Sequence, residues 1–286
     1  MSKTIRIIPR LDIKGPNVVK GIHLEGLRVM GRPDEFAKYY YETGADELMF
    51  MDVVASLYER NSLHSIISET AKKIFIPLTV GGGLRTLEDI KLVLRAGADK
   101  VCLNTAAIKN PNLISEAALR FGSSTIVVAI EAIRQNDGRY LAYTDNGREY
   151  TGVEVFEWAK KVTHLGAGEL VITSVDKEGT GDGFDIELVK KIAESVNVPV
   201  IAHGGAGKSQ DVFDVIHKGN CDAVTVASVL HYDFLMKHHT TAATTQEGNT
   251  EFLKSKRAFH NFKTMTITEL KNYLIDKGIS CRPPAI

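Results

Sequence analysis

Short apolar runs alternate with longer amphipathic stretches along most of this chain. The runs are "RIIPRLDI", "ELMFMDVV", "IPLTVG", "KVCLNT", "TIVVAIEA", "ELVITSV", "VPVIAHG" and "AVTVAS". Each is brief and nearly continuous in apolar residues, which predicts a strand covered on both faces. Between them, stretches such as "PDEFAKYYYETG", "TLEDIKLVLRAG" and "DIELVKKIAESV" carry helical patterns. Eight strands alternating with helices predict parallel βα units.

A longer repeat lies over this alternation. "IPLTVGGGLRTLEDI" from Ile76 returns as "VPVIAHGGAGKSQDV" from Val198, 198 − 76 = 122 residues later. "GADEL" at Gly44 returns at the same spacing as "GAGEL" at Gly166, and "GADKV" at Gly97 is echoed by "NCDAV" near Gly219. "RLDIK" at Arg10 is matched by "AIEAI" at Ala129, which sets Asp12 opposite Glu131. Two halves of four βα units, about 5–122 and 123–235, predict a single (β/α)8 TIM barrel built from two homologous half-barrels. The alternative is an open doubly wound sheet, but its halves are rarely so regular and no GxGxxG follows the first strand.

In a barrel, the loops that follow the strands all open on one face, where active sites lie. The two glycine joints follow the third and seventh strands, on opposite sides of that face. Glycine lets backbone N–H groups approach an anion, and a helix start adds partial positive charge. The expectation is two anion cradles. One comprises Gly82, Gly83, Asn104 and Thr105; the other comprises Gly204, Gly205, Ala227 and Ser228. Asp12 and Glu131 end the first and fifth strands, which are diametrically opposed. Two facing carboxylates between two phosphate sites suit general acid–base work on a bisphosphorylated substrate. Taken singly, such glycines also permit tight turns, and such acids also cap helices or pair with Lys and Arg. The matched positions in both halves favour chemistry. At the other mouth, Arg6, Glu47, Lys100 and Glu169 begin the first, second, fourth and sixth strands. Two charges of each sign form either a salt-bridged plug or a gate for a small polar molecule.

Composition narrows the function classes. The 286 residues are 44% apolar and 24% charged, ordinary for a globular protein. With 35 basic and 35 acidic residues, the zero net charge argues against a dedicated nucleic-acid binder. Cys102, Cys221 and Cys281 are odd in number and form no CxxC pair, which argues against a disulfide framework or a zinc site and favours a reducing cytosol. The start, "MSKTIRIIPRLDIK", lacks the apolar core of a signal peptide, and no stretch approaches the roughly 20 apolar residues that span a bilayer. No His/Asp/Glu cluster has ligand spacing, so neither metal nor cofactor is expected; His238 and His239 read as solvated.

"RIIPRLDIKGPNVVKG", "ADELMFMDVVAS", "FIPLTVGGGLR", "LRAGADKVCLNTAA", "TSVDKEGT" and "PVIAHGGAG" together resemble the cyclase subunits of imidazole glycerol phosphate synthase. The resemblance covers about residues 5–232 and resumes at "TITELKNYLIDKGI". It implies a (β/α)8 barrel in histidine biosynthesis that works in the cytoplasm as a lyase. Ammonia is joined to an aminoimidazole carboxamide ribotide linked through a formimino group to phosphoribulose. Cleavage and ring closure give imidazole glycerol phosphate and aminoimidazole carboxamide ribotide. A glutaminase subunit docks on the barrel's N-terminal face, forming a heterodimer, and its ammonia crosses the interior. Carried over by position, Asp12 and Glu131 are the catalytic carboxylates, and Arg6, Glu47, Lys100 and Glu169 the gate. Lys20, Asp52, Thr173, Asp176 and Gly179 join the two cradles in the substrate site.

Four residues depart from the family pattern. Glu131 and Glu178 stand where Asp is usual, Arg10 where Cys is usual and His203 where Ser is usual. An added methylene moves a carboxylate by about 1.5 Å, and misplacement by about 1 Å can cost roughly 100-fold in rate. An insert at about 236–265, polar and then basic, precedes the last helix. The leading expectation is the cyclase. One alternative is a paralogue conducting ammonia from a glutaminase to another acceptor, such as a bacterial surface sugar to be amidinated. The other is a non-catalytic subunit that activates the glutaminase.

Overall fold

A computed structural model of the chain describes residues 3–55, 63–238 and 262–283. Its twelve strands are, in chain order, β1 (Arg6–Lys14), β2 (Asn17–Ile22), β3 (Glu25–Gly31), β4 (Leu48–Asp52), β5 (Leu78–Gly81), β6 (Lys100–Leu103), β7 (Ile126–Arg134), β8 (Tyr140–Thr144), β9 (Glu149–Glu154), β10 (Glu169–Ser174), β11 (Val200–His203) and β12 (Ala223–Val226). Eight of them form a parallel ring: β1, β4, β5, β6, β7, β10, β11, β12 and back to β1. The predicted (β/α)8 barrel is therefore closed. Strands β1, β4, β5 and β6 precede Gly122, and the other four follow it.

The two antiparallel hairpins, β2–β3 and β8–β9, were not in the sequence reading. Each extends the first strand of its half beyond the barrel mouth, β1 into β2 and β7 into β8. Of the insert expected at 236–265, residues 239–261 lie outside the described residues.

Alternation along each strand sorts side chains into two environments. On β1, Ile7, Leu11 and Ile13 point outward into the main core under the helices, while Ile8 points into the barrel. The interior is layered. Arg6, Glu47, Lys100 and Glu169 form the floor. Above them lies a small apolar layer: Ile8, Met49, Cys102, Val127, Ala129, Val171, Ile201 and Ala223. Arg10, Asp12, Glu131, Thr173 and His203 make up the top layer, all buried.

Local signals explain the outer ring. In the helix Leu87–Ala96, Ile90 and Val93 are buried, and a reciprocal capping box joins Thr86 and Asp89. The final helix, Ile267–Asp276, starts with the same device at Thr266 and Glu269.

That final helix is fastened to the barrel by one carboxylate. Asp46 Oδ1 accepts from Lys271 Nζ at 2.7 Å and from Arg282 Nε at 2.9 Å, and its Oδ2 accepts from the Ile7 N–H at 2.8 Å. Lys271 is fully buried, and burial pushes its pKa down against the pull of Asp46. Removing one partner of a buried pair leaves an uncompensated charge. Asp46→Ala is expected to destabilise the fold by about 3–5 kcal/mol, read as a lower urea midpoint, with Lys271→Met costing clearly less.

Candidate active site

The top layer is assembled by register. Glu131 on β7 lies beside Thr173 on β10, and Thr173 beside His203 on β11. Arg10 and Asp12 come from β1, which stands opposite β7 in the ring, with three strands between them in either direction. Side chains two residues apart on a strand share a face. Arg10 Nε accordingly donates to Asp12 Oδ1 at 2.8 Å, and both residues are only 3% exposed. Arg10 Nη1 also reaches past β12 to His203 Nδ1 at 3.1 Å, and Thr173 Oγ1 meets the same nitrogen at 3.1 Å. Since a guanidinium only donates, Nδ1 is the unprotonated nitrogen of this imidazole. Burial holds the His203 pKa well below its usual value, and the charges of Arg10 and Lys20 add to the effect.

Glu131 occupies a different environment. Its Oε2 accepts from the Gly147 N–H at 2.7 Å, at the turn between β8 and β9. Burial pushes its pKa up to about 7, against the opposing pull of Arg10, the Gly147 N–H and the Asn104 side chain; the Asp12 charge adds a smaller upward push. Such a carboxyl carries a proton near neutrality and exchanges it readily.

The glycine joints are equivalent in detail. Gly82 has φ 100°, and an added Cβ would lie 2.3 Å from the carbonyl oxygen of Asp52, the last residue of β4. Gly204 has φ 97°, and its Cβ would lie 2.7 Å from the carbonyl oxygen of Ser174, the last residue of β10. In both halves only glycine permits the chain to turn this close to the preceding strand end.

The cavities beside the joints differ. The first, ≈ 140 Å³, is lined by Asp52, Gly82, Gly83, Asn104 and Thr105, together with Arg10 and Glu131. Arg85, Lys109 and Asn146 complete its wall and were not singled out from the sequence. Asn104 Oδ1 there is buried without a partner among the described residues. The second, ≈ 20 Å³, is lined by Lys20, Gly179, Gly204, Gly205, Ala227 and Ser228, with His203 and Glu178. Its cation is already engaged, because Lys20 is ion-paired with Glu178, both side chains being almost fully buried. Glu178 Oε2 also accepts from the Leu24 N–H at 2.8 Å, which holds the β2–β3 hairpin over the mouth.

Three expected substrate-site or catalytic residues, Asp12, Thr173 and Asp176, line neither cavity; Asp12 and Thr173 bond to Arg10 and His203, which do. Asp176 is exposed, and its Oδ2 accepts from the Arg134 N–H at 2.8 Å on the rim. Glu178, two residues on, supplies the interior carboxylate of this loop.

At the floor, the four expected charges form a closed ring. Arg6 Nη1 lies 2.9 Å from Glu47 and 3.0 Å from Glu169, while Lys100 Nζ lies 3.1 Å from Glu47 and 3.2 Å from Glu169. Thr79 Oγ1 donates to Glu47 at 2.8 Å and fixes its orientation.

Comparison with known proteins agrees with this architecture. A family model described as histidine biosynthesis protein matches residues 6–235. The chain is 58% identical over 207 residues to the imidazole glycerol phosphate synthase subunit HisF of Legionella pneumophila, covering 72% of this chain and 98% of that one. It is 47% identical over 230 residues to the HisF subunit of Alkaliphilus metalliredigens, covering 80% and 91%. With the HisF subunit of Methanocaldococcus jannaschii it shares 43% identity over 298 residues, covering 98% of each.

The first cavity is the roomier of the two and has Arg10, Arg85 and Lys109 in its wall. Inorganic phosphate is expected to bind there, more weakly as salt rises. A partly exposed charge contact is worth up to about 1 kcal/mol. Arg85→Ala and Lys109→Ala are therefore each expected to weaken phosphate binding by about three- to fivefold in calorimetric titration.

Proposed function

The chain belongs to the histidine biosynthesis protein family, and from that premise we propose that it is the cyclase subunit of an imidazole glycerol phosphate synthase. It is a lyase of the histidine pathway. Its substrate is the phosphoribulosyl-formimino aminoimidazole carboxamide ribotide, held by a phosphate at each end. The observation that carries this reading is that acids from two opposed strands are buried at the same mouth as one guanidinium. Asp12 bonds Arg10 directly, and Glu131 lines the same cavity as Arg10 between the glycine joints.

The two acids are unequal, and that divides the work between them. Glu131 holds its proton near neutrality and donates it to the departing amine of aminoimidazole carboxamide ribotide. Asp12, oriented by Arg10, accepts a proton released as ammonia adds and the ring closes. Holding the ends of a long substrate over the barrel axis is worth on the order of 7–11 kcal/mol of barrier in favourable cases.

Ammonia arrives from below. A glutaminase subunit docks on the face where the strands begin, and the cytoplasm supplies both substrates. Phe75, just before β5, is 81% exposed, and Leu119, near the end of the helix that leads back to β7, is 88% exposed. The ring of Arg6, Glu47, Lys100 and Glu169 must part to admit ammonia. The apolar layer above it then favours neutral ammonia over ammonium, because an unpaired ion is costly in such surroundings.

The purified chain, given ammonium salts and the ribotide, is expected to produce imidazole glycerol phosphate; glutamine is expected to replace ammonium only when the glutaminase is added. Asp12→Asn should reduce kcat by about 10²–10⁴-fold. No turnover of the ribotide by the folded wild-type chain would refute the assignment.

The proton-donor role of Glu131 also sets a pH dependence. kcat/KM is expected to fall as pH rises through about 7, and the residual activity of Glu131→Gln should lack that limb. A limb falling toward acid pH instead would make Glu131 the base. The folded state holds this proton where the unfolded chain has lost it. The stability it contributes is therefore full below about 4.5 and lost as pH rises through about 7.

A further inference from the structure

The bridge between Arg10 and His203 spans β12, from β1 to β11, and the chemistry above gives it no task. Arg10 lines the first cavity and His203 the second. Arg10 Nη1 lies 3.1 Å from His203 Nδ1, while the guanidinium is anchored from behind by Asp12 at 2.8 Å. Thr173 Oγ1 steadies the imidazole at 3.1 Å. All four residues are between 1% and 4% exposed, so the bridge is an interior structure. Beyond His203 the second cavity has only ≈ 20 Å³. A water takes about 10–15 Å³ on this measure, so a phosphate needs the wall to yield. Any ligand with an anion in each cradle must lay its middle along the line from Arg10 to His203.

We propose that Arg10 and His203 form a latch that selects two-headed anionic ligands by the hydrogen-bonding groups in their middle segment. A ligand with polar groups at its centre takes over the bond that Arg10 and His203 give one another. A ligand with a hydrocarbon centre strands a guanidinium N–H and an imidazole nitrogen, and buried polar groups without partners are penalised. The latch makes Arg10 and His203 specificity-determining residues. It rests on the site taking a substrate with a phosphate at each end, but its test needs no turnover.

The test is calorimetric titration of the full chain with inorganic phosphate, then with α,ω-alkanediol bisphosphates of graded length. Tethering two anions normally raises affinity well beyond that of one. For the wild-type chain, no diol bisphosphate is expected to bind more than about threefold tighter than phosphate. In His203→Ala, which removes the bridge and leaves Arg10 in place, the best-fitting length is expected to exceed phosphate by at least tenfold. Arg10→Gln is expected to raise the same ratio, and thermal unfolding verifies that both variants are folded. A tenfold tethering gain already present in the wild type would overturn the latch, as would an unchanged ratio in both folded variants.

A further arm needs no variant. A polyhydroxylated bisphosphate of matched length is expected to bind the wild-type chain at least tenfold tighter than the diol; equal affinities overturn the proposal. A folded chain inert toward the ribotide but showing the expected ratios would remove the cyclase assignment and keep the latch. Turnover with equal affinities for diol and polyol would do the reverse.

Discussion

The pairing of β1 with β12 and of β6 with β7 locks the two four-strand halves together, and those registers decide which side chains meet. In a ring of eight strands the inward positions have little room, so they fill in layers. A floor of charges, a belt of small apolar residues and a lid of acids and cations follow from reading every second residue along β1: Arg6, Ile8, Arg10, Asp12. A shift of β1 by one residue against β12 and β4 would turn those side chains into the helix-facing core and bring Ile7 and Leu11 inside. Closure of the sheet and assembly of the site are therefore one event.

The mouth then resolves a problem of buried charge. Arg10 with Asp12 and Lys20 with Glu178 form two ion pairs almost without solvent. Each is tolerable because partners and backbone N–H groups complete its hydrogen bonds; isolated, any of these ions would be expensive. Glu131 has no such cation in direct contact, and burial dominates its behaviour. His203 stays neutral for the same reason. Burial, more than the balance of two cations and two anions, raises the Glu131 carboxyl and keeps the His203 imidazole neutral.

The eight barrel strands were legible because burial on both faces leaves continuous apolar runs, and the 122-residue repeat exposed the glycine joints. The hairpins were harder to see. "NVVKGI" is short, lies close after β1 and carries Lys20 and Gly21 within it, so it merges with the connection. Asp12 and Glu131 were legible as strand-end acids. That Arg10 would grip Asp12 was available from the two-residue period alone. Its hold on His203, a residue 193 positions away, depends on barrel closure and has no local signal. Asp176 and Glu178 show the limit: in an irregular loop, spacing does not say which carboxylate turns inward, and the exposed one caps Arg134 instead.

The hairpins join the halves at the mouth. Asn146 Nδ2, in the β8–β9 turn, donates to the Leu24 carbonyl at 2.7 Å, in the β2–β3 turn, while the next residue, Gly147, holds Glu131. Leu24 in turn holds Glu178 through its N–H. Parts contributed by one half thereby set the aim of acids on the other. Chimeras that exchange a half-barrel between relatives would separate these partners even where the barrel itself still closed. Recombination between such genes should succeed where its crossovers carry the 17–31 and 140–154 segments together with the 175–183 loop, and should yield folded but misaligned proteins where they are divided.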